Sequence, residues 1–231
     1  MAALSVSGLA AGYATAQVLF GVDIEVGESQ VVALLGRNGM GKSTLIRSIL
    51  GLTLVTGGRV SVAGKDVTGW PSHRIARTGV GWVPEGRQIF ASLTIEENLL
   101  VSARKGKWDL GAVYQLFPKL GERRHHFGNQ TSGGEQQMTA IGRALLTQPA
   151  VLMLDEATEG LAPLIREEIW RTLAKLKEAG QSVLIVDRDL DALAQLADRF
   201  AVMEKGKIAL TGPGTDLVGR RADIERYINV A

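Results

Sequence analysis

Residues 36–43 read GRNGMGKS, a glycine-rich run that ends in Lys and Ser. The pattern fits G-x-x-x-x-G-K-[ST] and follows an apolar run at 31–35, as the phosphate-binding form requires. Glycines let consecutive N–H groups surround a phosphate, while Lys42 reaches the outer phosphates and the Ser43 hydroxyl ligates Mg²⁺. An ordinary strand-to-helix turn is the alternative, but Lys and Ser in register favour phosphate. We assign to nucleotide binding Gly36, Arg37, Asn38, Gly39, Met40, Gly41, Lys42, Ser43 and Thr44.

A second candidate lies at residues 151–156, VLMLDE, where an apolar run ends in two carboxylates. Asp155 would hold Mg²⁺ through water, and Glu156 would be free to orient or deprotonate an attacking water. Such a pair, seen alone, is commonly a solvated acidic loop. Because a phosphate-binding loop precedes it here, we expect Glu156 to be catalytic and Asp155, with Ser43, to be a metal ligand.

The third candidate is GNQTSGGEQQM at residues 128–138. Ser132 and Glu135 fit a capping box, in which each side chain satisfies an unpaired backbone N–H at a helix start. Gly133 and Gly134 leave those amides uncovered, and a helix N-terminus of this kind attracts anions. A plain helix cap is the alternative, and the same geometry serves both roles. The chain would then carry two separate anion sites.

Composition narrows the class of protein. The 231 residues are 45% apolar, enough for a sizeable core, and 26 Lys and Arg against 24 Asp and Glu give a net charge of +2. No basic run with interleaved aromatic residues suggests nucleic acid. The absence of cysteine excludes disulfides and thiolate metal sites. The N-terminus lacks a signal-peptide pattern and no run approaches ~20 apolar residues, so we expect a soluble, cytosolic protein.

Hydrophobic patterning predicts an α/β core interrupted by helices. The expected strands cover residues 17–26, 30–35, 59–62, 79–83, 151–154 and 182–186, followed by a hairpin at 200–210 that turns at Lys205-Gly206. Three expected helices begin near Lys42, at Thr94 with a capping box to Glu97, and after Gly134, the last of these ending near Gln148. Three further helices are expected at residues 113–116, 163–179 and 190–197. Helical signals dominate at 88–149, so we expect a helical insertion there.

In this order and spacing, GRNGMGKS, SGGEQQ and LDE resemble the motifs of ATP-binding cassette (ABC) ATPases, over essentially the whole chain. Three longer segments resemble the ATPase subunits of branched-chain amino-acid uptake transporters and the related urea and amide systems: VPEGRQIFASLTIEENL (83–99), SGGEQQMTAIGRAL (132–145) and GLAP (160–163). The resemblance implies an α/β fold of the P-loop NTPase, ABC-ATPase type, with a mixed sheet core, an N-terminal antiparallel β part and an inserted helical subdomain. It implies one domain, 1–231, with the core at 1–87 and 150–231 and the helical subdomain at about 88–149.

The resemblance also implies why one chain has two anion sites. In this family two ATPase domains face each other head to tail, and each signature loop closes on the nucleotide held by the partner's phosphate loop. Ser132, Gly133, Gly134 and Glu135 would therefore contact a neighbour's ATP. Tyr13 lies where the family places an aromatic ring against adenine, and a plain turn tyrosine is the alternative.

Glu85 occupies the position of the family's Q-loop glutamine. Its carboxylate still offers an oxygen to Mg²⁺. The resemblance therefore implies that Glu85 is both a metal ligand and one of the catalytic residues. The residues that follow, through Thr94, would link the nucleotide state to a transmembrane partner.

Three departures from the family pattern affect the expected site. Thr131 replaces the usual signature Leu as a packing change, and Ala157 and Ala162 alter the loop after Glu156, where many members have Asp at position 162. The switch histidine falls on Arg188, which cannot accept a proton at ordinary pH. Arg188 can still donate to a γ-phosphate, so we expect it to be catalytic. The alternative is a surface arginine that pairs with Asp187, Asp189 or Asp191.

The resemblance implies the energy subunit of an importer, which binds ATP and Mg²⁺, hydrolyses ATP and lies at the inner face of the cell membrane. Its expected partners are transmembrane permease subunits, a second ABC ATPase subunit, identical or different, and indirectly an external solute-binding protein. Two rivals stay open: a soluble ABC enzyme of DNA repair or translation, and a cassette that holds ATP without cleaving it. Lys42, Asp155 and Glu156 argue against the second rival, whereas Arg188 and Ala162 keep it open.

Overall fold

Residues 1–228 are described by a computed structural model and form two β-sheets with surrounding helices. The strands are β1 (Ala2–Tyr13), β2 (Ala16–Gly27), β3 (Val31–Leu35), β4 (Leu54–Val62), β5 (Lys65–Asp66), β6 (Val80–Val83), β7 (Val151–Asp155), β8 (Ser182–Val186), β9 (Arg199–Glu204) and β10 (Lys207–Pro213). The helices are α1 (Lys42–Ile49), α2 (Ser72–Ile75), α3 (Ile95–Leu100), α4 (Leu110–Leu116), α5 (Pro118–Glu122), α6 (Gly133–Leu145), α7 (Pro163–Glu178), α8 (Leu190–Leu196), α9 (Asp216–Gly219) and α10 (Arg221–Ile228).

The larger sheet has the strand order β10-β9-β3-β8-β7-β6. Its strands pair in parallel from β9 to β6, and β10 joins β9 as an antiparallel edge hairpin. The smaller sheet, of order β2-β1-β4-β5, is antiparallel. The expected mixed sheet with an N-terminal antiparallel part is therefore confirmed.

The central strand β3 is buried on both faces, as a continuous apolar run in a parallel sheet predicts. Val31, Ala33 and Leu35 pack into one hydrophobic cluster together with side chains of α6, α7 and α8. Val32 and Leu34 pack into a second cluster together with α1 and the smaller sheet. Because β3, β8 and β7 are parallel neighbours, their carboxyl ends lie at one edge of the sheet, and the loops that follow them meet there.

The segment between β6 and β7 contains α3, α4, α5 and α6. Both capping boxes expected from the sequence are present, one at the start of α3 and one at the start of α6. Leu99 of α3 and Met138 and Ile141 of α6 are fully buried in the same cluster as one face of the larger sheet. The inserted helices and the sheet therefore share a hydrophobic core, which holds the N-terminus of α6 in a defined place.

Two differences from the expected elements have physical causes. β1 is not predicted from the sequence, because register shifts interrupt its pairing with both β2 and β4 and blur its alternation. Helix α6 ends at Leu145 instead of near Gln148, since Gln148 has a left-handed φ of 59° and precedes Pro149. Among residues 1–228, none of the helices has the length and apolar character that crossing a bilayer requires.

Candidate active site

The loop at residues 36–41 joins β3 to α1 and is a tight turn held against β9. Gly36 has a φ of +140° and Gly41 a φ of +109°, conformations that other residues rarely adopt. A Cβ on Gly36 would lie 2.4 Å from the carbonyl oxygen of Met203. The carbonyl of Met40 accepts a 2.9 Å hydrogen bond from the N–H of Gly206 in the β9–β10 turn. Glycine at position 36 is thus a steric requirement of the loop.

Lys42 begins α1, and its side chain turns back into this loop. The residue is 5% exposed, and Nζ donates to the carbonyl oxygens of Gly36 at 2.7 Å and of Arg37 at 3.0 Å. Nζ also lies 3.8 Å from Oε1 of Glu156. Burial lowers the pKa of Lys42, and the charge of Glu156 acts against that effect. An ammonium group that is largely out of water attracts a nearby anion more strongly than one in solvent. Lys42 is therefore suited to contact a phosphate group.

A cavity of about 270 Å³ lies beside Lys42, at the carboxyl-end edge of the larger sheet. Its lining residues are Asn38, Gly39, Gly41, Lys42, Ser43, Thr44, Glu85, Glu156 and Glu159. Ser43 Oγ donates to Oδ1 of Asp155 at 3.3 Å. Burial raises the pKa of Asp155, the Ser43 hydrogen bond lowers it, and the charge of Glu85 raises it further. Hydroxyl and carboxylate oxygens are the ligands Mg²⁺ prefers, so these residues fit that ion.

Three carboxylates crowd one side of the cavity. Oxygen atoms of Glu85, Glu156 and Glu159 all lie within 4.8 Å of one another. Burial raises the pKa of Glu156 to about 7, the hydrogen bond and charge of Glu159 raise it as well, and Arg188 and Lys42 lower it. A carboxylate with this pKa is suited to accept a proton near neutral pH. Glu159 is absent from the sequence-based site, although its spacing of three residues from Glu156 was a visible signal.

Arg188 follows β8, where the buried Asp187 shapes the turn by accepting a 2.7 Å hydrogen bond from the backbone N–H of Arg188. The Arg188 guanidinium extends toward the phosphate loop. Its Nη2 donates to Oδ1 of Asn38 and lies 3.7 Å from Oε1 of Glu156. Asp191, one alternative partner, is paired with an arginine of α10. Arg188 therefore lies between the phosphate loop and Glu156, a position from which it could reach a bound phosphate.

The signature segment forms the expected capping box at the start of α6. The N–H of Ser132 donates to Oε2 of Glu135 at 2.7 Å, and the N–H of Glu135 donates to Oγ of Ser132 at 3.3 Å. Burial alone would raise the pKa of Glu135, but the bonds from Ser132 and the charge of Arg123 hold it below its usual value. Within the described part of the chain, residues 132–135 do not line the phosphate cavity. The two candidate anion sites of the chain are therefore separate in space.

The remaining positions singled out in the sequence lie around these two sites. Tyr13 ends β1, is 39% exposed and is not among the residues that line the phosphate cavity, so its adenine contact stays a prediction. Thr131 Oγ1 donates to the carbonyl of Gly128 at 2.7 Å, which ties the signature loop internally in addition to any packing role. Ala157 is buried, and Ala162 caps α7 without a side-chain hydrogen bond.

Comparison with known proteins decides the family. The family described as ABC transporter matches residues 19–159. The chain belongs to this family. It is an ABC-type ATPase cassette, and the P-loop NTPase fold expected from its motifs is the fold it has.

Two curated relatives of this ABC ATPase cover nearly the whole chain. One is the high-affinity branched-chain amino acid transport ATP-binding protein BraG of Pseudomonas aeruginosa, 38% identical over 93% of this chain and 94% of its own. Another is the probable branched-chain amino acid transport ATP-binding protein LivF of Archaeoglobus fulgidus, 34% identical over 91% and 92% of the two chains.

Solved structures give the same result. The ADP conformation of MJ1267, an ATP-binding cassette of an ABC transporter, superimposes with a TM-score of 0.84 at 27% identity and covers 98% of this chain and 97% of its own. A dimeric post-hydrolysis state of the cassette MJ0796 bound to ADP and Pi has a TM-score of 0.78 at 25% identity, over 91% and 98% of the chains. The ABC cassette described here therefore has the fold of nucleotide-binding relatives.

The raised pKa of Glu156 predicts a pH-dependent stability. Because that pKa is about 7 in the folded protein against an ordinary value of 4.5, the Glu156 contribution becomes more unfavourable to folding as pH rises between those values. We expect Glu156→Gln to raise the free energy of unfolding at pH 8 by on the order of 1–2 kcal/mol, and by much less at pH 5.

Urea unfolding with EDTA and without nucleotide measures this difference. Glu178→Gln, at an exposed position of α7, is the matched control and should change little at either pH. A Glu156→Gln gain of the same size at pH 5 and pH 8 would contradict the assignment.

Proposed function

We propose that this ABC cassette is the ATP-hydrolysing subunit of an importer for branched-chain amino acids or related small polar or amide solutes. The observation that carries the proposal is the separation of its two anion sites: a phosphate loop with a catalytic carboxylate, and a signature helix N-terminus outside that cavity. A chain of this kind completes two reaction centres only when a second cassette faces it. The transport names of its two relatives support the solute class.

We assign ATP binding to the loop at 36–44, with Lys42 on the outer phosphates and Tyr13 against adenine. Ser43, Asp155 and Glu85 would hold Mg²⁺, which when bound neutralises charge on the β- and γ-phosphates. The 3.3 Å contact between Ser43 and Asp155 supports this ligand set, since it brings two oxygens together before any ion is bound.

In the proposed reaction, Glu156 orients a water and takes its proton as the water oxygen attacks the γ-phosphorus. The bond from that phosphorus to the bridging oxygen of ADP breaks, and ADP and phosphate result. Arg188 would exchange its contacts with Asn38 and Glu156 for the γ-phosphate oxygens and stabilise the charge that develops there. The raised pKa of Glu156 supports its role as base, and the position of Arg188 supports its reach.

The proposed working unit is a head-to-tail dimer in which Ser132, Gly133, Gly134 and Glu135 complete the partner's nucleotide site. Each chain would form one ABC ATPase domain over 1–231, with its core at 1–87 and 150–231 and an inserted helical subdomain at about 88–149. The second ATPase subunit is identical or different, and permease subunits would hold the pair at the cytoplasmic face of the membrane. An external solute-binding protein would deliver solute to the permease from the opposite side. The dimeric state of a structural relative supports this arrangement.

Trapping by Glu156→Gln tests the composite ATPase. With the base removed and the binding groups intact, we expect this variant to form a stable dimer with Mg-ATP and to hydrolyse it at least ~100-fold more slowly than the parent. Light scattering after size exclusion measures the dimer, and phosphate release measures turnover. Lys42→Ala is the control: as the only chain present, it should neither bind ATP nor dimerise. If the parent chain stays monomeric with Mg-ATP and still hydrolyses ATP at its full rate, the head-to-tail arrangement is refuted.

Uptake in cells tests the solute class. Deleting the gene for this chain should abolish energy-dependent uptake of labelled leucine, and the parent gene should restore it where Lys42→Ala does not. Labelled urea and an aliphatic amide are measured in parallel. Loss of one of those in place of leucine assigns the related solute, and unchanged uptake of all three argues against import of this class.

Arg188→Ala separates catalysis from binding. Because the guanidinium reaches the phosphate loop but Lys42 supplies the buried charge, we expect turnover to fall by about 100-fold or more while ATP affinity falls less than about threefold. Single-turnover hydrolysis, with Glu156 intact, measures the turnover. Equilibrium binding, in the Glu156→Gln background, measures the ATP affinity. Arg104→Ala, at an exposed position between α3 and α4, is a matched control. Equal losses in affinity and turnover would contradict the phosphate role of Arg188.

A further inference from the structure

The loop that follows β6 contacts both anion sites of the same chain. Glu85 lines the phosphate cavity beside Lys42 and Ser43. Two residues later, Arg87 lies against the signature: a Cβ built on Gly133 would be 2.6 Å from Nη1, 2.8 Å from Cζ and 3.0 Å from Nη2 of Arg87. The Arg87 guanidinium therefore covers the space that a side chain at position 133 would fill, at the first residue of α6.

This placement is imposed by an unusual backbone. Gly86, Arg87 and Gln88 have consecutive left-handed φ values of 78°, 66° and 47°, and the N–H of Gln88 donates to the carbonyl of Gly86 at 2.7 Å. Non-glycine residues in this region cost roughly 1 kcal/mol or more each, so the surrounding structure must hold them. Arg143 of α6 does so, because its Nη2 donates to the carbonyl of Gln88 at 2.6 Å and its guanidinium lies 5.3 Å from the ring centre of Phe90.

The charge of Arg87 lacks a protein counterpart. Within residues 1–228, its half-buried guanidinium makes neither a side-chain hydrogen bond nor an ion pair, although it has five N–H donors. It also lies at the N-terminus of the 13-residue helix α6, where the helix dipole adds positive potential. Glu135 does not compensate, since its two oxygens are taken by the N–H of Ser132 and by Arg123. A half-buried guanidinium without a protein counter-charge, next to a helix N-terminus, is favourably placed to bind an anion from outside the chain.

We propose that Arg87 belongs to the signature half-site and donates to the γ-phosphate oxygens of ATP held by the partner's phosphate loop. The inference rests on the proposed head-to-tail dimer and adds a charged donor to Ser132 and the glycine amides. Guanidinium groups pair with phosphate oxygens through two parallel N–H bonds, which the backbone amides alone do not supply. Within the loop at 85–87, Glu85 would then bind the chain's own Mg²⁺, and Arg87, two residues later, would contact the nucleotide of the partner.

Arg87→Gly is the most informative variant. Glycine adopts the left-handed backbone at position 87 without strain, so the change removes the guanidinium while favouring the native turn. Arg87→Lys keeps the charge but loses the planar fork. Arg104→Ala, at an exposed position of the helical segment, is the matched loss of an arginine, and thermal melts check that each variant is folded.

Mixed dimers show on which nucleotide Arg87 acts. All chains carry Glu156→Gln so that ATP is retained, and two affinity tags isolate dimers of defined composition. In the first dimer one chain carries Lys42→Ala and the other Arg87→Gly, which leaves one composite site complete if Arg87 acts on the partner's nucleotide. In the second dimer both changes lie on one chain, which leaves no complete site. We expect the second dimer to release labelled ATP about tenfold or more faster than the first, the scale of a charge-assisted hydrogen bond to phosphate.

The same two dimers built with Ser132→Ala in place of Arg87→Gly provide the reference. If the Ser132 dimers differ as expected and the Arg87 dimers release ATP at equal rates, or in the reverse order, Arg87 does not serve the partner's nucleotide and the inference is overturned while the dimer stands. If the Ser132 dimers also fail to differ, the head-to-tail arrangement itself is wrong, and the inference is wrong with it. Arg87→Lys at an intermediate release rate, with Arg104→Ala at the parental rate, supports the planar phosphate contact.

Discussion

The buried ammonium of Lys42 is the constraint on which the rest of the site depends. Its charge is almost out of water, and the protein compensates it with two carbonyls of the phosphate loop and with Glu156, 3.8 Å away. The same carboxylate lies 3.7 Å from Arg188. A phosphate that enters competes with Glu156 for both cations, because it offers them the stronger and closer negative charge. In the proposed reaction, nucleotide binding would therefore draw Lys42 and Arg188 away from Glu156 and free this carboxylate to act as the base.

Three residues with a strained, left-handed backbone lie close to where these charges meet. Glu156 has a left-handed φ of 50°, and the loop after β6 places Arg87 and Gln88 in the same region. The flanking strands can hold such residues, since β6, β7 and β8 are pinned between two apolar clusters and their ends cannot relax independently. The sheet thus supplies the stability that lets two of its loops keep unfavourable conformations at a single edge.

Local features of the site could be predicted from the sequence, and contacts through space could not. The phosphate loop, both capping boxes and the strands that end at Leu35, Val83 and Val186 depend on residues within a few positions of one another, and they are confirmed. β1 is not predicted, because its bulges interrupt the alternation of apolar and polar residues that identifies a strand. The approach of Arg87 to Gly133 joins segments 46 residues apart, and no local pattern encodes it.

The arginine at position 188 changes how a proton can leave the attacking water. A neutral histidine can accept a hydrogen bond or a proton, whereas a guanidinium can only donate. Proton acceptance then falls to carboxylates, and the cavity wall holds three of them within 4.8 Å of one another. Burial and the neighbouring Glu159 bring the pKa of Glu156 to about 7, which makes it a stronger base than an ordinary glutamate. In the proposed reaction the chain would thus combine a permanently cationic donor for the phosphate, Arg188, with a carboxylate whose raised pKa makes it the stronger proton acceptor.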